Sequence, residues 1–207
     1  MKILKYLSLL FVLMTVLSCN NSEKKSEDLT DTNAQMIDPE NLPEMSIYHL
    51  PSHWTNQHGN EMELKNLQGK VVVMVMIYTT CKAACPRLVA DMRNIEKQIP
   101  ADKKENVQYV FVSIDPETDT PERLKAFAKE NEMEDDKWLF LRGTEEDTRE
   151  FAAVLAVNYK EISPMDFSHS NIISVFDQNG EMVHQQEGLG VDNVETVQAI
   201  INLAKTN

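Results

Sequence analysis

Two cysteines four residues apart, Cys81 and Cys85, directly follow an apolar and largely β-branched run from Val71 to Ile77. A short apolar run of this kind, bounded by turn residues, predicts a buried β-strand. On a helical turn, side chains four residues apart are neighbours, with Cβ atoms about 5–6 Å apart. The two sulfurs could therefore hold one soft metal ion or close a disulfide, so the expected chemistry is that of thiols.

The spacing of the two cysteines favours a metal over a disulfide. In a regular helix it leaves the Cβ atoms further apart than the roughly 3.5–4.5 Å that a disulfide requires. Two thiolates around one ion need no such contraction, and soft thiolate ligands select Cu(I). Pro86 suits a first helical turn, and a helix N-terminus beside a thiol lowers its pKa. The alternative is that both cysteines are inert core residues.

Two cysteines leave a metal ion under-coordinated, so a third donor is expected elsewhere. The best candidate is His169, which directly precedes an apolar strand at 172–176 and follows a segment, 160–165, interpreted as irregular. The other histidines have no better local argument; they are His49, His53, His58 and His184. His58 in a predicted turn and His184 on a predicted hairpin strand are interpreted as solvated.

A dense polar segment, residues 115–122, follows the second apolar strand. One interpretation is structural: a strand end, a turn fixed by Pro116, and a helix capped by Thr120. The other places Asp115 near the thiols at the sheet edge, where it would tune their charge or meet a partner. The residues by themselves leave both interpretations open.

The order of predicted elements indicates an α/β fold. Strands are expected at 71–77, 107–114, 138–141, 172–176 and 182–186, and helices at 86–99, from 120, from 144 and at 191–204. This pattern predicts a thioredoxin-like, three-layer fold with a central mixed sheet, helices on both faces and an added N-terminal hairpin that turns at 57–60. Sites in α/β sheets lie beyond the carboxyl ends of strands, which is where the thiols stand.

The N-terminus resembles a bacterial lipoprotein signal. Lys2 and Lys5 precede a short apolar stretch, which ends in Val16-Leu17-Ser18-Cys19. We interpret residues 1–18 as a lipoprotein signal peptide, 19–44 as a flexible polar tether and 45–207 as the folded domain. Lipidation of Cys19 would anchor the chain to a membrane on the extracytoplasmic, periplasmic side, and would leave the other two cysteines as a pair. An ordinary signal peptide with a chance Cys19 is the alternative.

Charge and compartment limit the partners. The net charge of −13 excludes the clustered Lys and Arg of a nucleic-acid footprint, so an electrostatic partner should be basic or cationic. In an oxidising compartment the thiol pair would close unless a metal ion or a reductant kept it open.

Three motifs, in this order, resemble those of the SCO/SenC family of copper proteins. They are Tyr78-Thr79-x-Cys81-x-x-x-Cys85-Pro86, then Val112-Ser113-Ile114-Asp115-Pro116-x-x-Asp119-Thr120-Pro121-Glu122, then Ser168-His169-Ser170 before a strand. The resemblance implies a thioredoxin-like domain outside the cytoplasmic membrane that binds one copper ion, Cu(I) or Cu(II), through Cys81, Cys85 and His169. It further implies assembly of the dinuclear copper centre of cytochrome c oxidase, by copper delivery, thiol reduction or both. The partner would be that copper-site subunit or another copper or thiol protein.

The sequence departs from the family pattern between the cysteines, where Lys82 and Ala83 replace a common Pro-Asp pair. The alternative function is a thiol-disulfide oxidoreductase or redox sensor that uses Cys81 and Cys85 as its redox pair. A peroxiredoxin-type peroxidase is disfavoured because Met74 and Tyr78 occupy its Pro and Thr positions. A structural zinc site is disfavoured because such sites usually have four protein ligands.

Overall fold

The computed structural model describes residues 41–163 and 166–204. The predicted signal peptide, the predicted lipidation site Cys19 and most of the predicted tether lie outside these ranges, so they and the domain boundaries stay predictions. Among the described residues, no helix combines the length and the apolar character that crossing a bilayer requires.

Within the described ranges, seven of the nine strands form one mixed sheet. The strands are β1 (His53–Asn56), β2 (Glu61–Glu63), β3 (Val71–Ile77), β4 (Val107–Ser113), β5 (Trp138–Arg142), β6 (Tyr159–Ser163), β7 (Asp166–His169), β8 (Ile172–Phe176) and β9 (Met182–Glu187). The order in the sheet is β2-β1-β5-β4-β3-β8-β9. The β3–β4 and β4–β5 pairs are parallel and the others antiparallel. Every residue of β3 and β4 is buried, as expected for strands covered on both faces.

The described part of the chain has four α-helices: α1 (Cys85–Gln98), α2 (Pro121–Glu130), α3 (Glu145–Val154) and α4 (Val194–Leu203). Phe140 of β5 contacts Phe127 of α2, with ring centroids 6.0 Å apart. Gly143 comes three positions after Phe140, so it faces the opposite side of the sheet. It packs so closely against Trp54 that an added Cβ would lie 3.0 Å from the indole ring. Trp54 in turn meets Phe151 of α3 edge-on at 5.4 Å. Helices therefore cover both faces of the sheet, as predicted.

Local signals for the helix starts are confirmed. Thr120 accepts a hydrogen bond from the Arg123 backbone N–H, and Thr144 caps α3 in a capping box with Asp147. The last helix begins at Val194, three residues later than expected. The preceding loop instead docks on α1, where the Gly190 N–H donates to the buried Asp91 carboxylate at 2.8 Å.

The prediction of an irregular segment at 160–165 is wrong over most of its length. β6 and β7 form a separate antiparallel hairpin in which Tyr159 pairs with His169 and Glu161 with Phe167. Residues 164 and 165 lie outside the described ranges. Four of the five residues of β6 are exposed, so the segment has no alternating buried face from which a strand could be recognised. His169 is consequently the last residue of a strand rather than a loop residue.

Candidate metal and thiol site

The site lies at the carboxyl end of β3, as the topology rule predicts. Here the backbone N–H and the hydroxyl of Thr79 both donate to the carboxylate of Asp119, and the Ser113 hydroxyl donates to it at 2.6 Å. Asp119 is fully buried. Burial raises its pKa, and the hydrogen bonds from Ser113 and Thr79 oppose that shift. One buried carboxylate thus ties the end of β3 to the end of β4.

The two thiols are close for a different reason from the helical spacing that the sequence suggested. Cys81 lies in the loop before α1, and Cys85 is the first residue of that helix. The Cys81 sulfur accepts a hydrogen bond from the Cys85 backbone N–H at 3.3 Å. Ala84 precedes the helix and has no capping side chain. The sulfur of Cys81 therefore satisfies one of the free N–H groups at the helix N-terminus.

The two thiols have opposite pKa shifts. Burial works against ionisation of Cys81, but hydrogen bonds to its sulfur outweigh it, the largest contribution coming from the Cys85 N–H, so the pKa of Cys81 is lowered. Burial raises the pKa of Cys85, and its contact with the Cys81 sulfur adds to that shift. Both are free thiols, with Cys85 buried and Cys81 partly exposed. Cys81 is therefore the more readily ionised and more accessible sulfur.

His169 is brought to the thiols by the β6–β7 hairpin. Its Nε2 lies 3.9 Å from the Cys85 sulfur, and its Nδ1 lies 3.0 Å from the Ser170 carbonyl oxygen. A carbonyl only accepts, so Nδ1 carries the proton and Nε2 of the neutral ring has the lone pair. Burial lowers the pKa of His169, which favours this neutral form. The nitrogen nearest the thiols is thus the one able to bind a metal.

The donor set fits a soft metal ion. With the bond lengths of about 2.3 and 2.0 Å that zinc makes to sulfur and imidazole nitrogen, the two donors stand roughly 3.5–4 Å apart. The observed 3.9 Å between Cys85 Sγ and His169 Nε2 falls in that range. Within the described ranges, no three His, Cys, Asp or Glu side chains already form a closed metal cluster. Binding would therefore require an adjustment that brings Cys81 and His169 onto the same ion.

Tyr78 connects the thiols to the hairpin, a role that the sequence did not indicate. Its hydroxyl donates to the Asp166 carboxylate at 2.5 Å and is 3.2 Å from the Phe167 carbonyl oxygen. The ring meets those of Phe167 and His169 edge-on, at centroid distances of 5.2 and 5.8 Å. The sequence shows Tyr78 only as a motif position, because its partners lie almost ninety residues away.

Among the described residues, no hydrogen bond joins Asp115 to either thiol. Its carboxylate accepts from the Thr118 N–H at 3.2 Å, as expected for the structural interpretation of this turn. Its charge also raises the pKa of the neighbouring Asp119, after the larger effect of burial. Asp115 lines a pocket of about 470 Å³ that also borders Phe167. Its proposed effect on the thiols stays a prediction.

Three of the four competing histidines have side-chain hydrogen-bond partners elsewhere in the described ranges, and the fourth, His58, is exposed. His49 Nε2 lies 2.9 Å from the Pro43 carbonyl oxygen, and His53 Nδ1 lies 2.8 Å from that of Pro51. His58 is exposed in the β1–β2 turn, as predicted. The solvated interpretation of His184 is wrong, since this residue is half-buried with Nε2 2.9 Å from the hydroxyl oxygen of Thr196 on α4.

The opposite pKa shifts predict a difference in alkylation. Iodoacetamide should modify Cys81 before Cys85, because the thiolate is the nucleophile and only Cys81 combines a lowered pKa with exposure. Peptide mapping of the reduced protein over time, at pH 7, measures both rates. The Cys85→Ser variant should keep fast labelling of Cys81, and unfolded protein should label both equally. Faster labelling of Cys85 in the folded protein would contradict the assignment.

Comparison of the sequence with those of known proteins identifies relatives of this chain. The chain is 35% identical over 103 residues to the SCO1 protein homolog of Bacillus subtilis (strain 168), covering 49% of this chain and 53% of that protein. It is 31% identical over 72 residues to a Stutzerimonas stutzeri protein whose name refers to copper binding, covering 35% of each. The chain thus spans about half or less of the length of these two relatives.

Comparison of structures and of the family profile agrees with these relatives. The crystal structure of a SCO1/SenC family lipoprotein from Bacillus anthracis str. Ames has a TM-score of 0.68 at 29% identity, covering 77% of this chain and 96% of that one. The fold is therefore the predicted thioredoxin-like one. The profile described as SCO1/SenC matches residues 43–205, which is most of the chain. This chain belongs to the SCO1/SenC family.

Proposed function

We propose that this chain is a copper metallochaperone, in which Cys81, Cys85 and His169 hold one copper ion as cargo. The observation that carries the proposal is the 3.9 Å approach of His169 Nε2 to the Cys85 sulfur, across 84 residues of sequence. The hydrogen bond from the Cys85 N–H to the Cys81 sulfur keeps the second thiol beside the first. Two thiols and one imidazole are soft or borderline donors, and such donors suit copper, above all Cu(I).

The protonation states of the three side chains support uptake and release by ligand exchange. Cys81 is readily ionised and partly exposed, so it suits the first contact with incoming copper. Cys85 must lose a proton when a metal binds, because burial raises its pKa. Copper binding should therefore release a proton and strengthen as the pH rises. Three ligands also leave a coordination position for a donor of the recipient.

The first test concerns the ligands. In the reduced protein, Cys81→Ser, Cys85→Ser and His169→Ala should each weaken Cu(I) binding by about 100-fold or more, since loss of outer-shell partners alone costs 10–100-fold. Competition with a chromogenic Cu(I) chelator measures the affinity. His58→Ala, at an exposed turn histidine, is the matched control and should bind as the wild type does. Intact binding in all three ligand variants would exclude this site.

We also propose that the recipient is the dinuclear copper site of cytochrome c oxidase, and that Cys19 anchors the chain by lipid on the extracytoplasmic side of a membrane. The family to which the chain belongs supports the recipient, and the residues preceding Cys19 support the anchor.

Lys82 and Ala83 are exposed beside Cys81. A recipient that approaches Cys81 therefore meets a cation and a methyl group rather than the common Pro-Asp pair.

The recipient is tested in cells of the source organism. Deletion of the gene should lower the copper content and activity of the oxidase, and wild-type or His58→Ala protein should restore both, whereas Cys85→Ser should not. Unchanged oxidase copper after deletion would point to a different recipient.

The lipid anchor is tested separately: Cys19→Ser should release the protein from membranes, as fractionation would show.

A thiol-disulfide oxidoreductase is the second candidate function, and the asymmetry of the two thiols favours it. An accessible sulfur with lowered pKa suits attack on a partner disulfide, and a buried neighbour suits resolution of the mixed disulfide. The products would be a reduced partner and an intramolecular Cys81–Cys85 disulfide. The same pair could report redox state without catalysis.

Turnover of a disulfide-linked peptide separates the two functions. If thiol exchange is the main activity, His169→Ala should retain it and Cys81→Ser should lose it, because only the attacking sulfur is indispensable. A fluorescence-quenched mixed-disulfide substrate with a reducing partner gives the rate. Wild-type turnover no faster than that of free cysteine would exclude the oxidoreductase.

A further inference from the structure

The β6–β7 hairpin, which carries His169, stands apart from the main sheet. Its two strands pair only with each other in the described ranges. Most of β6 is exposed. A two-stranded hairpin alone is marginally stable in water, so the position of His169 depends on what ties the hairpin to the body of the domain.

Tyr78 supplies such a tie from a rigid place. It follows β3 directly and is only 2% exposed. Its hydroxyl donates to Asp166 at the start of β7, and its ring packs on Phe167 and His169. Burial, and then the hydrogen bond with Asp166, raises the pKa of Tyr78, so the hydroxyl keeps the proton that it donates. A second tie joins β6 to α3, where Arg149 donates a hydrogen bond to the Tyr159 hydroxyl oxygen.

The same hydroxyl also contacts the thiol loop. It is within hydrogen-bonding contact of the Cys81 sulfur. One side chain therefore touches all three parts of the site: the Cys81 loop, the end of β3 and the strand that ends at His169. A phenylalanine at this position would keep the ring contacts and lose every one of the hydroxyl contacts.

We propose that the Tyr78 hydroxyl is a latch that holds the β6–β7 hairpin closed, and so positions His169 beside Cys85 for metal binding. Tyr78 is thus a positioning residue that acts through His169. The inference rests on the proposed copper function for its consequence, but the latch itself is a property of the metal-free protein. Opening the latch would withdraw the imidazole and leave copper on the two sulfurs, from which a recipient thiol can take it.

Hydrogen exchange of the reduced, metal-free protein tests the latch. Tyr78→Phe should speed amide exchange in β6 and β7 by about tenfold or more, the weight of one hydrogen bond to a charged group. Asp166→Ala should do the same, and the double variant should exceed neither by much because both remove one interaction. The matched control is Tyr109→Phe, whose buried hydroxyl on β4 has no hydrogen-bond partner in the described ranges. Equal exchange in the Tyr78→Phe and Tyr109→Phe proteins would overturn the latch.

Copper affinity then tests whether the latch acts through His169. Tyr78→Phe should weaken Cu(I) binding about tenfold in the otherwise wild-type protein, and should have a much smaller effect when His169→Ala is present, because only the contact of the hydroxyl with the Cys81 sulfur is then left to lose. An equal loss in both backgrounds, or no loss in either, would overturn the positioning role. If the wild type binds no copper, the proposed function fails, whereas the exchange experiment still decides the latch.

Discussion

The site depends on the hydrogen bonds that the buried carboxylate of Asp119 accepts. β3 and β4 are parallel and end side by side, so their loops leave the sheet together and must be held in register. Asp119 accepts from the backbone and hydroxyl of Thr79 and from Ser113. In a dry interior each of these groups would be costly to leave unpaired, so the network determines the path of the chain just before Cys81.

The position of this loop determines the surroundings of the two thiols and therefore their chemistry. Cys81 reaches the open N-terminus of α1, where the Cys85 N–H donates to its sulfur and favours the thiolate. Cys85, the first residue of α1, is buried and keeps its proton until a metal or a partner sulfur replaces it. At the start of α1, the Cys81 sulfur is therefore readily ionised, whereas the Cys85 sulfur stays protonated. This difference suits copper exchange and disulfide exchange equally well. His169 is the side chain that distinguishes them.

Much of the fold could be predicted from local patterns. Continuous apolar runs predicted β3 and β4 because both strands are buried on both faces. Thr120 and Thr144 predicted the starts of α2 and α3 because capping is a contact between near neighbours. The β6–β7 hairpin was missed because an exposed two-stranded element has no buried face, and because nothing local distinguishes it from a polar loop.

The sequence by itself determined the reacting groups: two thiols after a buried strand, Pro86 in the first turn of the next helix, and a histidine before a later strand. Tertiary structure decided how they meet. Cys81 lies outside the helix and caps it, His169 comes within 3.9 Å of Cys85 across 84 residues, and Tyr78 joins Asp166 across 88. Spacing reports contacts within a turn or a strand, whereas these contacts depend on how the elements pack, which no local pattern records.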